Sequence, residues 1–158
     1  METIHDFMVK FTERSLPDIH ELRNRFYQTT PDILEVMKTA DANLNREPEL
    51  AGLFLGEMKG KVFRPSLALL EELGRISDQK VVIDDNAEWL FLCGRDVFGK
   101  SVLSSEVKSG LALITNRRDE VLGLGNVLNL SNKENKAITN LMDRGDYLRR
   151  EMTGRRKG

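Results

Sequence analysis

The chain has 158 residues and nearly balanced charge, with 24 Lys and Arg residues against 25 Asp and Glu residues. Hydrophobic residues make up 40% and charged residues 31%, a composition typical of folded soluble proteins rather than of disordered ones. No apolar run approaches the roughly 20 residues that a membrane span requires, and no secretory signal is recognisable. Cys93 is the single cysteine, which excludes an internal disulfide and favours a reducing, cytoplasmic setting.

The charge is distributed unevenly along the chain. Residues 1–79 carry a net charge of −4 and residues 80–158 a net charge of +3. Arg155, Arg156 and Lys157 make the tail, residues 153–158, strongly basic. A basic end favours a polyanionic partner, although such a tail is more often simply solvated.

Two segments near the N-terminus fit more than one secondary structure. The apolar residues of 1–11 have helical spacing, but the segment is short enough for a strand. Residues 17–26 suit either a helix with Pro17 in its first turn or a hairpin with Arg23-Asn24 at the turn. Periodicity leaves both segments open.

The next helix is defined by its start signals. Thr30 is a suitable N-cap and Pro31 a suitable first residue, and the apolar face predicts an end near 40–42, before a loop over 43–49. A hairpin is then predicted over 50–64, with Lys59-Gly60 at its turn.

A second helix is predicted to begin after Ser66, its cap, and to end at Gly74. The polar residues that follow, 75–79, read as a connector between two domains. An apolar strand over 80–83 and a helix over 87–93 come next, for which Asp85 is a suitable cap and Gly94 a left-handed terminating residue.

The remaining segments predict short strands. Gly110–Thr115 and Val121–Leu130 flank the charged loop 116–120, and 137–142 forms the last strand. Within the second of these strands Gly123 and Gly125 indicate a bend, a bulge or a close backbone approach, of which a bend is the commonest. This order of elements predicts a small barrel-like β module with one short helix.

We therefore expect an α+β protein with two domains and a tail. The first, residues 1–76, is a small N-terminal α/β domain with antiparallel strands. The second, residues 79–152, is the β module, and residues 153–158 form the basic C-terminal tail.

Groups suited to catalysis are scarce. His5 and His20 both lie near the N-terminus, far along the chain from Cys93, which we expect to be a small buried hydrophobe. Asp84-Asp85 is better explained by a turn and a helix cap than by a metal ion, and no Cys/His spacing or phosphate-binding loop is present. We expect no enzyme activity, no metal and no cofactor.

Binding chemistry is the alternative to catalysis. Basic residues that flank the glycine-marked turns and the last strand are predicted to converge on one rim and to bind phosphates. These residues are Arg95, Lys100, Lys108, Arg149 and Arg150. Trp89 and Phe98 are predicted to lie in the core, so phosphate and shape contacts are expected more than base stacking.

Several segments carry a family resemblance. KVVIDDNAEWLFLCGRDV (80–97), LGLGNV (122–127) and DRGDYLRR (143–150) resemble the PUA domain, named for pseudouridine synthase and archaeosine transglycosylase. NRFYQTTPDIL (24–34) and GLFLGEMKGKVFRPSLALL (52–70) are similar to the first domain of the Nip-seven family of ribosome-biogenesis factors. The likeness covers roughly residues 19–151 and suggests an archaeal member.

This resemblance implies a fold and a function. The fold is a small α/β domain followed by a PUA-like β pseudo-barrel, with residues 19–28 as a hairpin. The function is non-catalytic binding of large-subunit precursor rRNA, with a preference for uridine-rich sequence. Separately, the acidic balance of the N-terminal domain and its strand with Leu53 and Leu55 suit docking of ribosome-assembly proteins; no DNA or membrane is expected. The RNA-binding positions that it implies are Gly94, Arg95, Asp96, Lys100, Arg149 and Arg150.

Other functions fit the same residues. A PUA-containing translation or tRNA-binding factor would differ only in its RNA partner. An accessory subunit of an RNA-modifying enzyme would belong to an enzyme assembly without carrying the catalytic groups.

Overall fold

The computed structural model describes residues 2–44, 52–146 and 149. The chain divides into two compact units, residues 1–69 and residues 70–158. Both units combine helices with a mainly antiparallel sheet, so the predicted α+β class is confirmed. None of the helices within the described ranges is both long and apolar enough to cross a membrane.

The first unit is built on a four-stranded antiparallel sheet with strand order β1-β2-β3-β4. Phe7 of the first helix and Phe26 of β2 both pack on Phe63 of β4, with ring centroids 5.5 and 5.7 Å apart. The elements are α1 (Ile4–Met8), β1 (Ile19–Leu22), β2 (Arg25–Gln28), α2 (Pro31–Leu44), β3 (Leu53–Lys59) and β4 (Val62–Pro65).

The structure shows the secondary structure of the two segments for which the sequence allowed alternatives. Residues 4–8 are a helix, because Thr3 and Asp6 form a reciprocal capping box at its start. Residues 19–28 form the hairpin, with Arg23 and Asn24 at φ of +52° and +64°, as a two-residue type I′ turn requires. The hairpin implied by the family resemblance is therefore correct.

Two helix ends differ from the prediction. Helix α2 runs to Leu44 rather than stopping at 40–42, so the predicted loop 43–49 begins in the helix and otherwise lies outside the described residues. Helix α3 (Leu67–Ile76), capped by Ser66 as predicted, continues past Gly74. A Cβ at Gly74 would lie 2.5 Å from Cγ2 of Val121, so this glycine permits close packing and does not end the helix.

The second unit is a curled six-stranded sheet with strand order β6-β10-β9-β8-β5-β7. Only the β5–β8 pair is parallel among the strand pairs of the described residues. The elements are β5 (Lys80–Ile83), α4 (Asp85–Leu92), β6 (Val97–Phe98), a 3-10 turn (Gly99–Ser101), β7 (Val102–Ser105), β8 (Gly110–Thr115), β9 (Val121–Val127) and β10 (Lys136–Asp143).

Helix α4 has the predicted end but a different start. Asp84, not Asp85, is the N-cap, and its Oδ1 accepts from the Ala87 N–H at 2.8 Å. Gly94 has φ of +85° and its N–H donates to the Phe91 carbonyl, while the Arg95 N–H donates to the Leu90 carbonyl at 3.0 Å. These two bonds form a Schellman motif, which confirms the left-handed role of Gly94.

The glycines of β9 permit close approach of the neighbouring strand. A Cβ at Gly123 would lie 2.0 Å from the Met142 carbonyl oxygen, and one at Gly125 would lie 2.6 Å from Cγ2 of Ile138. The register shifts on both sides of β9, against β10 between Asn140 and Met142 and against β8 next to Gly123. Close backbone approach and a bulge in β9 explain Gly123, whereas Gly125 makes room for packed side chains.

Candidate nucleic-acid interface

Arg149 joins the end of β10 to the end of α4. Its Nη2 donates to both carboxylate oxygens of Asp143, at 2.9 and 3.1 Å, and its Nη1 donates to the Leu92 carbonyl at 2.6 Å. Asp143 is only 3% exposed, and Asn140 Nδ2 donates to it as well. The hydrogen bond with Asp143 raises the pKa of the Arg149 guanidinium above its ordinary value.

Two glycines make room for this arginine. A Cβ at Gly94 would lie 3.2 Å from Nη2 of Arg149. A Cβ at Gly145 would lie 1.8 Å from the Leu92 carbonyl oxygen and 2.9 Å from Nη1 of Arg149. The structure thus brings the predicted residues Gly94 and Arg149 together, and the space beside Gly94 holds a side chain of the same unit. Arg150 lies outside the described residues.

Asp96 holds β6 against β10. Its Oδ1 accepts from the Asn140 N–H at 2.8 Å, and its Oδ2 pairs with Lys136 Nζ at 3.3 Å. Asn140 Nδ2 in turn donates to the Phe91 carbonyl at 2.8 Å, which ties the same strand to α4. Asp96 therefore has a structural role at the position that the resemblance assigned to RNA.

Arg95, Lys100 and Lys108 are exposed, and their side chains make no hydrogen bond or ion pair with any other described residue. Lys100 is held beside Lys133, because its backbone N–H donates to the Lys133 carbonyl at 2.8 Å. The turn is packed tightly there, since a Cβ at Gly99 would lie 2.6 Å from the Asn132 carbonyl oxygen. These three cations are available to a ligand.

Strand register places Lys108 at the same end of the sheet as β6. One row of paired residues crosses β6, β10, β9 and β8, and its members are in that order Val97, Ile138, Val127 and Gly110. Lys108 lies two residues before Gly110, beyond the end of β8, and β8 lies about 10 Å from β10 at the usual strand spacing. Of the predicted cations that the structure describes, Arg95 and Arg149 therefore lie at the end of α4, and Lys100 and Lys108 lie at this end of the sheet.

Two aromatic residues predicted in the core are on the surface. Trp89 is 67% exposed and Phe98 is 49% exposed, and Cys93, also predicted to be buried, is exposed. Trp89 is two residues from both Ala87 and Phe91, whose side chains are buried, so it lies on the opposite face of α4. Phe98 alternates with buried Val97 on β6. Periodicity in the sequence contained both signals.

The surroundings of these two aromatic residues differ in charge. Near Trp89, Arg117 pairs with Asp85 at 3.5 Å, and Asn116 donates to Glu88 at 3.1 Å. Phe98 lies directly opposite Lys136 on the neighbouring strand and immediately before the turn that carries Lys100. The sequence pattern did not identify Lys133 and Lys136 as binding residues, because only strand pairing brings them close to Phe98.

The described residues offer little for other chemistry. No group of three or more His, Cys, Asp or Glu side chains among them is arranged to hold a metal ion. A pocket of about 400 Å³ contains none of the predicted binding residues. It is lined by Asp78, Lys80, Val82, Ser104 and Glu106.

Comparison with known proteins agrees with this architecture. Residues 79–152 match the family described as the UPF0113 PUA domain. The chain resembles the solved structure of a conserved PUA domain protein from Thermoplasma acidophilum, with a TM-score of 0.60 at 17% identity over 94% of this chain and 91% of that one. The second unit thus has a PUA-like fold.

Two archaeal relatives, both UPF0113 proteins, share more sequence with the chain. The one from Archaeoglobus fulgidus is 39% identical over 114 residues, which is 67% of this chain and 65% of the relative. The one from Aeropyrum pernix is 38% identical over 103 residues, which is 63% of this chain and 57% of the relative. The chain therefore spans less than two thirds of the length of either relative.

Proposed function

We propose that the chain is a non-catalytic RNA-binding protein and that RNA binds at the end of the six-stranded sheet where β6 lies. The observation that carries this proposal is the pair of cations on either side of β6, Arg95 and Lys100, neither of which has a partner among the described residues. Guanidinium and ammonium groups without carboxylate partners bind phosphates most readily, since no existing ion pair has to be broken. The PUA-like fold of the same residues supports RNA as the source of those phosphates.

The finer assignment rests on the resemblance of both units. Both units resemble the Nip-seven family. On this basis we propose that the chain is a cytoplasmic assembly factor that binds large-subunit precursor rRNA, with a preference for uridine-rich segments. The first unit then docks ribosome-assembly proteins. Leu53 and Val62, which are 40% and 56% exposed on its sheet, offer apolar contact area for such a partner.

The test is RNA binding measured by fluorescence anisotropy, with the full chain and a labelled uridine-rich oligonucleotide over a range of salt concentrations. The double variant Arg95→Ala/Lys100→Ala should weaken binding and flatten the slope of log K against log salt by about 1.4, since each lost phosphate contact contributes about 0.7 for a single strand. The matched control is Lys61→Ala/Arg64→Ala, which removes one exposed lysine and one exposed arginine from the first unit.

An unchanged slope in the first double variant contradicts the site, and no binding by the parent chain at low salt contradicts the function. Crosslinking followed by sequencing of bound RNA then separates precursor rRNA from tRNA. Turnover of a modified nucleoside by the purified chain would replace the non-catalytic proposal with an enzymatic one.

A further inference from the structure

The edge of the six-stranded sheet combines an exposed aromatic ring, Phe98, with three exposed lysines. Two of them, Lys100 and Lys133, have no ion-pair partner among the described residues, and the third, Lys136, pairs with the partly exposed Asp96. We infer that Phe98 stacks on an unpaired base, while Lys100, Lys133 and Lys136 bind the phosphates beside it. The ligand is therefore a single-stranded segment of RNA. This inference rests on the proposed function and names both the class of RNA and the residue that recognises it.

The position of Phe98 follows from strand pairing. β6 has only two residues, of which Val97 is 2% exposed and Phe98 is 49% exposed, so the phenyl ring points away from the core. Lys136 of β10 is the directly paired residue. Side chains of paired residues on adjacent strands lie about 5 Å apart at Cβ, so the ring and the lysine share one face.

The 3-10 turn after β6 and the loop hydrogen-bonded to it each add one more lysine. Its backbone is bonded to the 132–135 loop by Gly99 N–H to the Asn135 carbonyl at 3.0 Å and by Lys100 N–H to the Lys133 carbonyl at 2.8 Å. Lys100 and Lys133 are exposed and form no ion pair within the described ranges. Three ammonium groups thus lie around Phe98.

Two carboxylates lie at the same edge, and because three lysines outnumber them the net charge there stays positive. Asp96 is already engaged by Lys136 and by the Asn140 N–H, and Glu134 lies in the exposed loop beside Lys133. A net positive surface around an accessible ring suits a ligand that carries phosphates and aromatic faces together. A duplex does not fit this arrangement, because its base faces are covered by stacking.

Trp89 provides a comparison within the molecule. It is more exposed than Phe98, but the charges beside it are already paired, Asp85 with Arg117 at 3.5 Å and Glu88 with Arg118 at 4.0 Å. A stacked base there would lack free cations for its phosphates. Exposure alone would favour Trp89, whereas exposure combined with unpaired cations favours Phe98.

The first experiment compares Phe98→Leu with Trp89→Leu, using a labelled single-stranded oligouridine and an RNA duplex of the same charge. Phe98→Leu should weaken single-strand binding at least about fivefold, the lower limit for loss of one base–aromatic stack, and duplex binding less than twofold. Its salt slope should stay unchanged, because no cation is removed, whereas Lys133→Ala should reduce the slope by about 0.7. Trp89→Leu should leave both affinities unchanged.

The second experiment reads stacking directly. Trp89 is the single tryptophan, so Phe98→Trp in a Trp89→Phe background moves the fluorescent side chain to the proposed platform. Single-stranded RNA should quench its emission with the same midpoint as the anisotropy titration. The parent chain, with its tryptophan on α4, should show no such quenching.

The outcomes separate this inference from the proposed function. Unchanged single-strand affinity in Phe98→Leu, or binding without quenching in the relocated-tryptophan variant, overturns the stacking role while RNA binding itself stands. An equal loss in Trp89→Leu overturns it too, because the RNA then crosses α4. No RNA binding by the parent chain ends both proposals, and a protein partner captured at Phe98 by such a chain would assign this edge to protein docking.

Discussion

Two basic regions of the second unit use their charges in different ways. At the end of α4, Arg149 is bonded to a buried carboxylate and to a backbone carbonyl, so its donors hold two elements together. At the β6 edge, Lys100 and Lys133 have no such partners in the described part of the chain. A basic residue near a glycine therefore indicates a ligand only when its donors are free, and partner bonds decide this more directly than exposure.

The largest expected effect is at the α4 end. Arg149→Ala leaves the Asp143 carboxylate buried without its cation and the Leu92 carbonyl without its donor, so the free energy of unfolding should fall by more than in any other variant proposed below. Chemical denaturation measures this change. Arg95→Ala is the control and should change stability by no more than about 0.5 kcal/mol, because that side chain has no described partner. Equal losses of stability in the two variants would contradict the distinction between a basic residue with bonded donors and one without.

A smaller effect is expected when Gly94 is changed. Gly94→Ala places a methyl group 3.2 Å from the Arg149 guanidinium at a residue with φ of +85°, and should lower stability by about 2 kcal/mol. Gly60→Ala is the matched control, with φ of +63° and no atom within 4 Å of the new methyl group, and should cost about 1 kcal/mol. Thermal unfolding of both variants isolates the contact with Arg149, and identical melting temperatures would argue against that contact.

The smallest effect is expected at Asp96, between the two regions. Asp96→Asn keeps an oxygen for the Asn140 N–H but removes the charge that pairs with Lys136. Because that ion pair is partly exposed, stability should change by less than about 1 kcal/mol. Released from the carboxylate, Lys136 should instead strengthen RNA binding about twofold and steepen its salt slope. Anisotropy at two salt concentrations checks this, and weaker binding would give Asp96 a direct role in the interface.

Much of the fold follows from local sequence signals. Thr3 with Asp6, Ser66 before α3 and the Gly94 terminator act through bonds within a few residues, and the sequence contains both partners of each. Local signals were not sufficient to predict the Arg23-Asn24 turn, since the periodicity of this segment fitted a helix as well. The resemblance to related hairpins resolved it, because the family preserves long-range pairing that one sequence does not show.

The candidate site was predicted less completely, for a physical reason. Lys133 and Lys136 are ordinary charges in a polar stretch until β10 pairs with β6, and that pairing joins residues almost 40 positions apart. Arg149 was predicted to bind RNA on charge and position, but its bonds to Asp143 and Leu92 depend on where β10 ends. Trp89 and Phe98 were predicted in the core from their apolar character, although their spacing from Ala87, Phe91 and Val97 indicated exposure.

The short length of β6 limits aggregation of this chain through its sheet edge. An edge strand with many unpaired N–H and C=O groups invites another chain to extend the sheet, and aggregation follows. β6 contributes only two residues before the Gly99–Ser101 turn carries the backbone away, and lysines flank it on both sides. An exposed apolar ring can therefore remain accessible at this edge while like charges and a short strand keep neighbouring molecules apart.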